Sequence, residues 1–326
     1  MPESLCPVAE AVTHMNPSPP KLLVIGGPTA SGKKKLSLLA AERFGGEIVS
    51  ADSRKVYRRL DIGTAKPSLE DRARIPHHLI DIVDPDEQFS AGEWTRLAAE
   101  AVKGILARGH LPIVSGGTGF YISAFREGLS DGIAPDPDVR RRLERELEEH
   151  GPESLHARLD AVDPVRASEL PHGDTVRVMR ALEIFETSGM TVTELRNRPK
   201  TTGGRYDCLF IGVGMERPLL YRRIDERVDA MVRAGLVDEV KSLLNEGYDR
   251  GLVALDTVGY REWFSFIDGA EPFKTCLDMV KHNTRRYAKR QLTWFRNRPG
   301  VKWIDCGDKN AADRVLDDIG IWLEKR

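Results

Sequence analysis

The clearest chemical signal in the sequence is a glycine-rich segment that ends in a lysine. Four residues separate Gly27 from Gly32, and Lys33 follows directly. In such a segment the backbone N–H groups surround a phosphate, the start of the following helix adds positive partial charge, and the lysine contacts the outer phosphate. The sequence therefore predicts a phosphate-binding loop, here called the phosphate loop, which consists of Gly27, Pro28, Thr29, Ala30, Ser31, Gly32 and Lys33.

The position after the loop lysine departs from the usual pattern. A Ser or Thr normally stands there and binds Mg²⁺ through its hydroxyl, whereas this chain has Lys34. An ammonium group has no lone pair to offer a metal. Two interpretations stay open. Either Lys34 points to solvent and Mg²⁺ is held by phosphate oxygens, water and Asp52, or the lysine charge replaces part of the metal's role. Mg²⁺ is the expected cofactor, and Asp52 is its candidate protein ligand.

Polar residues also follow two other predicted strands. Asp52 comes shortly after one strand, and Thr118 follows another strand and a Gly-Gly pair. Ligands of open α/β sheets bind beyond the carboxyl ends of the strands. Asp52 is therefore a candidate metal ligand or general base, and Thr118 would present a hydroxyl. A carboxylate in such a place can equally be a helix cap or an ordinary loop residue.

The hydrophobic pattern predicts an α/β framework that positions these residues. Short apolar runs indicate strands, and apolar residues spaced by three and four indicate helices. Strands that alternate with helices imply a parallel sheet covered on both faces. The predicted strands are 21–25, 47–50, 111–115, 208–213 and 301–305, and the predicted helices are 33–43, 94–107, 139–150, 175–188, 219–235, 237–246 and 273–298.

The segment 133–200 differs because it carries helix signals only. Asp136 before a proline is a typical N-cap, Asp174 is another, and Thr191 with Glu194 fits a capping box. We therefore expect an α/β core formed by 21–132 and 201–326, an all-helical insertion at 133–200, and a disordered tail at 1–20.

Composition excludes several classes of protein. The chain has 326 residues with 40% hydrophobic and 30% charged residues, as in ordinary globular proteins. No apolar run approaches the roughly 18 residues of a membrane helix, and the first residues do not resemble a signal peptide. A cytoplasmic monomer that does not contact membranes is expected. The four cysteines and the His77-His78 pair lack metal-site spacing.

A net charge of −1 means that any nucleic acid would have to bind a local basic patch. The segment 281–298 offers one, because it contains seven Lys or Arg residues, no acidic residue and three interleaved aromatic residues. Basic residues contact phosphates, and aromatic rings stack on unpaired bases. The alternative is a solvated helix face whose aromatic residues belong to the core.

With these motifs in order, the sequence closely resembles the bacterial tRNA dimethylallyltransferases, also called isopentenyl-tRNA transferases. The resemblance extends over nearly the whole chain past residue 20. The matching stretches are GPTASGK (27–33), SADSRKVYRRLDIGTAKP (50–67), HHLIDIVDP (77–85), GGTGFYI (116–122), DTVRVMRALEIFETSG (174–189), RRIDERVDAMVRAGLVDEV (222–240), VGYRE (258–262) and TRRYAKRQLTWFR (284–296).

The resemblance implies a P-loop NTPase-like parallel sheet core with an inserted helical domain that contacts the anticodon stem of tRNA. It implies transfer of a dimethylallyl group from dimethylallyl diphosphate to the exocyclic N6 amine of an adenosine, with release of diphosphate. That adenosine lies directly 3′ of the anticodon in tRNAs that read codons beginning with U. The expected partners are therefore the tRNA anticodon stem-loop and dimethylallyl diphosphate.

The same resemblance assigns roles to individual residues. Asp52 would accept the proton of the attacking amine, and Thr118 would hydrogen-bond the bridging oxygen of the diphosphate. The phosphate loop with its Lys33, together with Lys34, Arg223 and Arg227, would bind the diphosphate. The expected tRNA-binding residues are Asp52, Ser53, Arg54, Lys55, Arg140, Val176, Arg177, Arg180, Gly259, Tyr260, Arg261, Lys289, Arg290, Gln291, Trp294 and Arg296.

Three alternatives share parts of this pattern. An adenylate isopentenyltransferase uses the same loop but prenylates a free nucleotide, and it would not need the helical insertion or the basic segment 281–298. A small-molecule P-loop kinase would need a Ser or Thr in place of Lys34. The same substitution leaves open a catalytically impaired homologue that binds tRNA.

Overall fold

The buried apolar runs of the sequence form a single parallel sheet. The computed structural model describes residues 18–129, 133, 135–198, 206–308 and 310–325, so most of the predicted tail lies outside the described residues. The strand order is β3-β2-β4-β1-β5-β6. The strands are β1 (Lys21–Gly26), β2 (Gly46–Ser50), β3 (His77–His78), β4 (Leu111–Gly116), β5 (Asp207–Gly214) and β6 (Val301–Asp305).

Helices cover both faces of this sheet. A short 3₁₀ helix spans Arg261–Trp263. None of the helices in the described ranges is long and apolar enough to cross a membrane. The α-helices are α1 (Lys33–Phe44), α2 (Leu69–Arg74), α3 (Ala91–Ala107), α4 (Gly119–Glu127), α5 (Pro137–Val162), α6 (Pro164–Ser168), α7 (Thr175–Ser188), α8 (Val192–Asn197), α9 (Arg217–Arg233), α10 (Leu236–Asn245), α11 (Phe264–Ile267), α12 (Phe273–Arg296) and α13 (Ala311–Glu324).

The central strand β1 shows why both faces must be covered. Its side chains alternate between the two sides of the sheet, and all four of its apolar residues are fully buried. Leu22 and Val24 pack in a core with residues of α3, α4, α10 and α12. Leu23 and Ile25 pack in a second core with residues of α1 and α13. A parallel sheet with two such cores is the arrangement that the sequence predicts.

The register of the sheet brings the predicted site segments to one edge. Gly26 at the end of β1 pairs with Gly116 of β4 and with Gly212 of β5. Ser50 at the end of β2 pairs with Ser115 of β4. The loops that follow β1, β2 and β4 therefore begin side by side at the carboxyl edge of the sheet.

Between α4 and β5 the described residues contain helices and their connecting loops but no strand. Helix α5 continues beyond the predicted end because helical geometry resumes after a kink at Gly151, whose φ is +77°. The three predicted caps are confirmed: Asp136, Asp174 and Thr191 each accept a backbone N–H at the start of a helix. Helices α5 to α7 share their own core, which includes Leu143, Leu155, Leu159, Ala167, Val178 and Leu182.

Several elements were not predicted, and each lacks a clear pattern. Helix α2 is short and buries none of its residues, so it has no apolar stripe. It is held instead by a capping box between Ser68 and Asp71. Strand β3 has two residues. Helix α4 begins directly at Gly119, within a glycine-rich segment that is typical of a loop.

Candidate active site

The phosphate loop connects β1 to α1 at the carboxyl edge of the sheet. Gly32 has a φ of +98° and occupies the N-cap of α1, where no side chain caps the helix. The first amides of α1 are therefore available to an anion. Gly27 is required by close packing, because a Cβ there would lie 2.4 Å from the carbonyl oxygen of Val213 in β5. The loop thus has the backbone geometry that phosphate binding needs.

Lys33 lies inside the site rather than at its surface. Its Nζ donates a hydrogen bond of 3.0 Å to the carbonyl oxygen of Pro28. Burial lowers the pKa of Lys33 to about 7, and the neighbouring charges of Lys55 and Arg227 contribute to this shift, while Asp52 opposes it. An anion bound beside Lys33 would favour its charged form.

Several basic side chains converge on one cavity of about 860 Å³. Lys33, Lys55, Arg223 and Arg227 all line it. Burial lowers the pKa of Lys55 and that of Arg227, and Asp52 acts in the opposite direction on both. None of the four forms an ion pair among the described residues. The cavity therefore concentrates positive charge next to the phosphate loop.

Asp52 and Thr118 both accept hydrogen bonds from backbone amides of the segment 53–55. The Oδ1 of Asp52 accepts hydrogen bonds from the amides of Arg54 at 3.0 Å and Lys55 at 3.4 Å. The Oγ1 of Thr118 accepts a hydrogen bond of 2.9 Å from the amide of Ser53. Asp52 lines the cavity together with Ser53, Arg54 and Lys55. Thr118 does not belong to the lining but contacts Ser53, which does.

Gln291 of α12 joins the phosphate loop to the segment after β4. Its Oε1 accepts a hydrogen bond of 2.8 Å from the amide of Thr29. Its Nε2 donates one of 2.9 Å to the carbonyl oxygen of Gly117. The residue is buried, with 7% of its surface exposed. This placement differs from the expected contact with tRNA, because both ends of the side-chain amide already bind backbone groups of the site.

Lys34 has a partner that neither interpretation of the sequence anticipated. Its Nζ lies 2.6 Å from Oδ2 of Asp71 in α2. The Lys34 side chain is 48% exposed, so it faces solvent in part and forms an ion pair at the rim of the site. The hydroxyl of Ser37, one turn further along α1, already binds the Lys33 carbonyl and lies 2.7 Å from the Ser115 hydroxyl.

These residues do not fit a magnesium ion held by the protein. Mg²⁺ prefers oxygen ligands in octahedral geometry. Next to the phosphate loop the chain offers the Asp52 carboxylate surrounded by ammonium and guanidinium groups. In the described ranges no three His, Cys, Asp or Glu side chains come together, so this part of the chain has no metal site built from such side chains alone. The expected metal ligand Asp52 therefore lacks protein partners for that role.

The segment 259–261 lines the cavity, and its aromatic residue is almost fully buried. Tyr260 is 1% exposed, and its hydroxyl donates a hydrogen bond of 2.6 Å to Oε1 of Glu239. Glu239 also accepts the amides of residues 61, 62 and 63. Arg261 pairs with Asp256 at 3.1 Å. The Tyr260 hydroxyl therefore makes a supporting contact within the protein, and contact of residues 259–261 with tRNA stays a prediction.

One half-buried and one buried glutamate in this region, Glu239 and Glu262, were missed by sequence reasoning. Glu239 holds the loop at 61–63, and Glu262 accepts hydrogen bonds of 2.8 Å from the Gly259 amide and from Asn283 Nδ2. Charged residues at helical spacing usually indicate a solvated face. No signal in the sequence distinguishes these two from exposed glutamates.

Helix α12 divides the basic segment into two groups. Lys281 and Arg285 face α9, where they pair with Asp229 and Asp225 at 2.6 Å each. Another group is exposed and forms no ion pair among the described residues, and we call it the basic face of α12. It consists of Arg286, Lys289, Arg290 and Arg296.

The aromatic residues of α12 have mixed roles. Phe295 is fully buried in the core. Trp294 is half-buried against Gly119, and the guanidinium of Arg298 lies 4.3 Å from its ring centre. Arg290 lies 5.7 Å from the ring centre of Tyr287 and also lines the cavity. The core interpretation is therefore confirmed for Phe295, whereas contact of the exposed residues with RNA stays a prediction.

The predicted tRNA-binding residues of the helical insertion lie apart from the cavity lining. Arg177 is exposed and pairs with Asp174 at 3.2 Å, and Val176 beside it is 63% exposed. Arg180 is more enclosed, since it donates to Glu183 at 2.9 Å and to the carbonyl oxygen of Ile133 at 2.7 Å. Arg140 lies 3.5 Å from Glu144. None of the four lines the cavity of the described protein.

Comparison with known proteins identifies relatives over most of the chain. The family model described as IPP transferase matches residues 55–298. The tRNA dimethylallyltransferase of Geobacter metallireducens is 47% identical over 299 residues, which are 92% of this chain and 96% of the relative.

Two solved structures resemble this fold. The tRNA isopentenylpyrophosphate transferase of Bacillus halodurans has 41% sequence identity and a TM-score of 0.69, over 93% of this chain and 97% of its own. A eukaryotic dimethylallyltransferase described as acting on tRNA has 28% identity and a TM-score of 0.79, over 94% of this chain and 80% of its own.

Proposed function

The chain belongs to the IPP transferase family, and on this basis we propose that it is a tRNA dimethylallyltransferase. It transfers a dimethylallyl group from dimethylallyl diphosphate to the exocyclic N6 amine of the adenosine directly 3′ of the anticodon and releases diphosphate. The observation that carries the proposal is a single cavity that joins the phosphate loop, the Asp52 carboxylate and Arg290 of the basic face of α12.

The phosphate loop and the neighbouring cations are suited to a departing diphosphate. The allylic C–O bond breaks during transfer, so negative charge grows on the leaving diphosphate and must be stabilised. The free amides at the start of α1 face this position. Lys33, Arg223 and Arg227 line the same cavity and supply positive charge. These contacts support a diphosphate ligand, and no step requires hydrolysis of a nucleoside triphosphate.

Asp52 is the proposed general base. The N6 nitrogen attacks the allylic carbon and forms the new C–N bond, while the electron pair of the C–O bond leaves with the diphosphate. The amine proton passes to the Asp52 carboxylate. Because the amides of Arg54 and Lys55 bind Oδ1, they orient the carboxylate and leave Oδ2 for the amine. Thr118 is proposed to bind the bridging oxygen of the diphosphate, for which its hydroxyl has to release the Ser53 hydroxyl that it contacts at 3.3 Å.

The basic surfaces support an RNA acceptor rather than a free nucleotide. An adenosine in an anticodon loop must be unstacked and taken into a pocket before its amine can react. The basic face of α12 continues into the cavity through Arg290, and Arg177 adds an exposed cation on the insertion. An enzyme for free AMP needs neither surface. A kinase is disfavoured by the family membership and by Lys34 in place of a metal-binding hydroxyl.

The test is a paired transfer assay with the full chain and dimethylallyl diphosphate. One reaction contains an anticodon stem-loop whose adenosine follows the anticodon, and the other contains AMP. We expect prenylated RNA and unmodified AMP, with diphosphate released in proportion to the RNA product. Prenylated AMP without prenylated RNA would contradict the proposal, as would phosphorylation of either substrate by ATP.

A further inference from the structure

A second, small cavity, here called the extension, adjoins the main cavity and shares Lys33, Lys34, Asp52 and Lys55 with its lining. A metal bound beside the phosphate loop would be sought there. This extension has a volume of about 50 Å³. Its lining includes three lysines, Lys33, Lys34 and Lys55, and the carboxylate of Asp52. Since Lys34 is paired with Asp71, a divalent cation placed there would face the ammonium groups of Lys33 and Lys55 against the single carboxylate of Asp52, and this repulsion is stronger in a partly desolvated site than in water.

Lys34 is fixed at this extension by an acceptor of its own. Oδ2 of Asp71 lies 2.6 Å from the Lys34 ammonium and also accepts the Ser68 amide at 3.3 Å. The Asp71 amide in turn donates to Oγ of Ser68 at 3.1 Å. The hydrogen bond from Lys34 lowers the pKa of Asp71, so the Asp71 carboxylate stays ionised near neutral pH. The first turn of α2 therefore holds the Lys34 charge beside the loop.

The charge of the main cavity matches a metal-free diphosphate. Lys33, Lys55, Arg223 and Arg227 line it without an ion pair among the described residues. The acidic residues of the lining are Asp52, Glu226 and Asp256, of which Asp256 is paired with Arg261. A diphosphate ester carries several negative charges, which these side chains can neutralise directly through charge-assisted hydrogen bonds. A bound Mg²⁺ would reduce the charge of the ligand and so weaken its attraction to them.

We infer that this chain binds the diphosphate of its substrate through its own cations, with Lys34 standing where a hydroxyl would ligate Mg²⁺ and Asp71 keeping it there. The inference rests on the proposed function only in taking a diphosphate as the ligand. The inference fixes the direction in which Mg²⁺ changes the affinity for diphosphate. Removal of Mg²⁺ leaves diphosphate binding unchanged or tightens it.

The experiment measures binding of inorganic pyrophosphate to the full chain by calorimetry, once in EDTA and once with saturating Mg²⁺. For the wild type we expect a Kd in EDTA equal to or lower than that with Mg²⁺. For Lys34→Thr, which restores the hydroxyl, we expect the order to reverse, with binding in EDTA weaker than with Mg²⁺ by about tenfold, or about 1.4 kcal/mol. Lys103→Thr on α3 is the control for loss of one exposed positive charge, and it should behave as the wild type.

A second variant keeps the test decisive if Lys34→Thr is poorly folded. Asp71→Asn retains Lys34 but removes its counter-charge, so pyrophosphate should bind several-fold more tightly in EDTA, again without a need for Mg²⁺. Wild-type binding that is at least about tenfold weaker in EDTA than with Mg²⁺ would overturn the inference. The RNA transfer assay reports separately on the proposed function, because pyrophosphate binding involves no acceptor.

Discussion

At the scale of single residues, Asp52 has the most direct chemical role. Replacing it with Asn keeps an oxygen for the amides of Arg54 and Lys55, which Oδ1 accepts in the wild type, but removes the proton acceptor. We expect turnover to fall by about 10²–10⁴-fold, the usual range for a general base. Affinity for the anticodon stem-loop should be largely kept, since phosphate contacts dominate RNA binding.

Single-turnover transfer rates and RNA binding measured on the same preparation check this expectation. Asp52→Ala, which also loses the amide contacts, should be at least as slow. A normal rate in Asp52→Asn would remove Asp52 from the role of base.

Gln291 is expected to act as a positioning residue. In Gln291→Glu the carboxylate can still accept the Thr29 amide, but it faces the Gly117 carbonyl oxygen with no hydrogen to donate. The KM for dimethylallyl diphosphate should rise at neutral pH because the phosphate loop loses its support. Acidification protonates the carboxyl group and restores a donor, so the KM should approach the wild-type value as the pH falls toward about 5.

Gln291→Met supplies the control for this pH profile, because it has a similar length and no group that titrates. It should have a raised KM at every pH. If both variants respond to pH in the same way, the two hydrogen bonds of Gln291 do not set the position of the phosphate loop.

At the scale of secondary-structure elements, one buried carboxylate connects several elements at the amino edge of the sheet, opposite the cavity. Glu47 of β2 is 3% exposed and accepts two hydrogen bonds from Arg108, at 2.9 and 2.8 Å. His78 and His110 each place a ring nitrogen 2.7 Å from it. These contacts tie β2 to β3 and to the start of β4. Strand β3 is therefore held by a side-chain cluster as well as by its two backbone pairs.

The Glu47 cluster predicts a defined pH dependence of stability. The hydrogen bond from Arg108, with smaller contributions from the histidines, lowers the pKa of Glu47 to about 2. Since the pKa is lower in the folded state, the stabilisation is complete above the ordinary carboxyl pKa and is lost as the pH falls toward about 2. Glu47→Gln should lower the free energy of unfolding by about 1.5–3 kcal/mol at neutral pH.

Urea unfolding at several pH values measures this contribution. The difference between wild type and Glu47→Gln should shrink as the pH is lowered from about 5 to about 3. Glu148→Gln on the exposed side of α5 serves as the control and should change stability little at any pH. A difference that stays constant with pH would mean that the Glu47 charge does not stabilise the fold.

The basic residues of helix α12 form two sets that can be compared in one experiment. Lys289 and Arg290 belong to its basic face, whereas Lys281 and Arg285 pair with acids of α9. Alanine at 289 or 290 should weaken RNA binding and reduce the slope of log affinity against log salt by about 1 each. Alanine at 281 or 285 should lower thermal stability more than RNA affinity.

Filter binding of an anticodon stem-loop across a salt series, together with thermal melts, separates the two effects. Equal losses of RNA affinity in both groups would show that the ion pairs with α9 open when RNA binds.

At the scale of the whole molecule, RNA binding has to be divided between the core and the insertion. The net charge of −1 gives no general attraction for RNA. Arg177 lies on the insertion, where it is 64% exposed and pairs with an Asp three residues earlier. Arg177→Ala should weaken binding of the anticodon stem-loop, while turnover at saturating RNA should stay within about twofold of the wild type, because Arg177 does not line the cavity.

Arg141 is a close structural match for this test. It is 65% exposed and also pairs with an Asp three residues earlier, at the start of α5. Arg141→Ala should leave the KM for RNA unchanged, because its helix face carries charges of both signs. A fall in maximal turnover for Arg177→Ala would indicate that the insertion contributes to chemistry as well as to binding.

The parts of the fold that the sequence predicted are those with a strong local pattern. Strand β6 and helix α7 were predicted with the observed bounds, and β1, β2, β4 and β5 within one or two residues at each end. Their apolar runs and caps depend on neighbours in the sequence. Helix α2 was missed because it buries no residue of its own. Helix α13 was also missed, although its buried residues Ala311, Val315 and Ile319 recur at helical spacing.

The sequence by itself determined the phosphate loop, the strand-end positions of Asp52 and Thr118, and the family, because each depends on residue types at fixed spacing. Only the tertiary structure decided what those residues touch. Gln291 meets Thr29 across a separation of 262 positions, and Asp71 meets Lys34 from a helix without a pattern. The hydroxyl of Tyr260 donates a hydrogen bond to Glu239, which lies on helix α10. Such pairs depend on how separate elements pack. Nothing in the sequence around either partner indicates that the two residues meet.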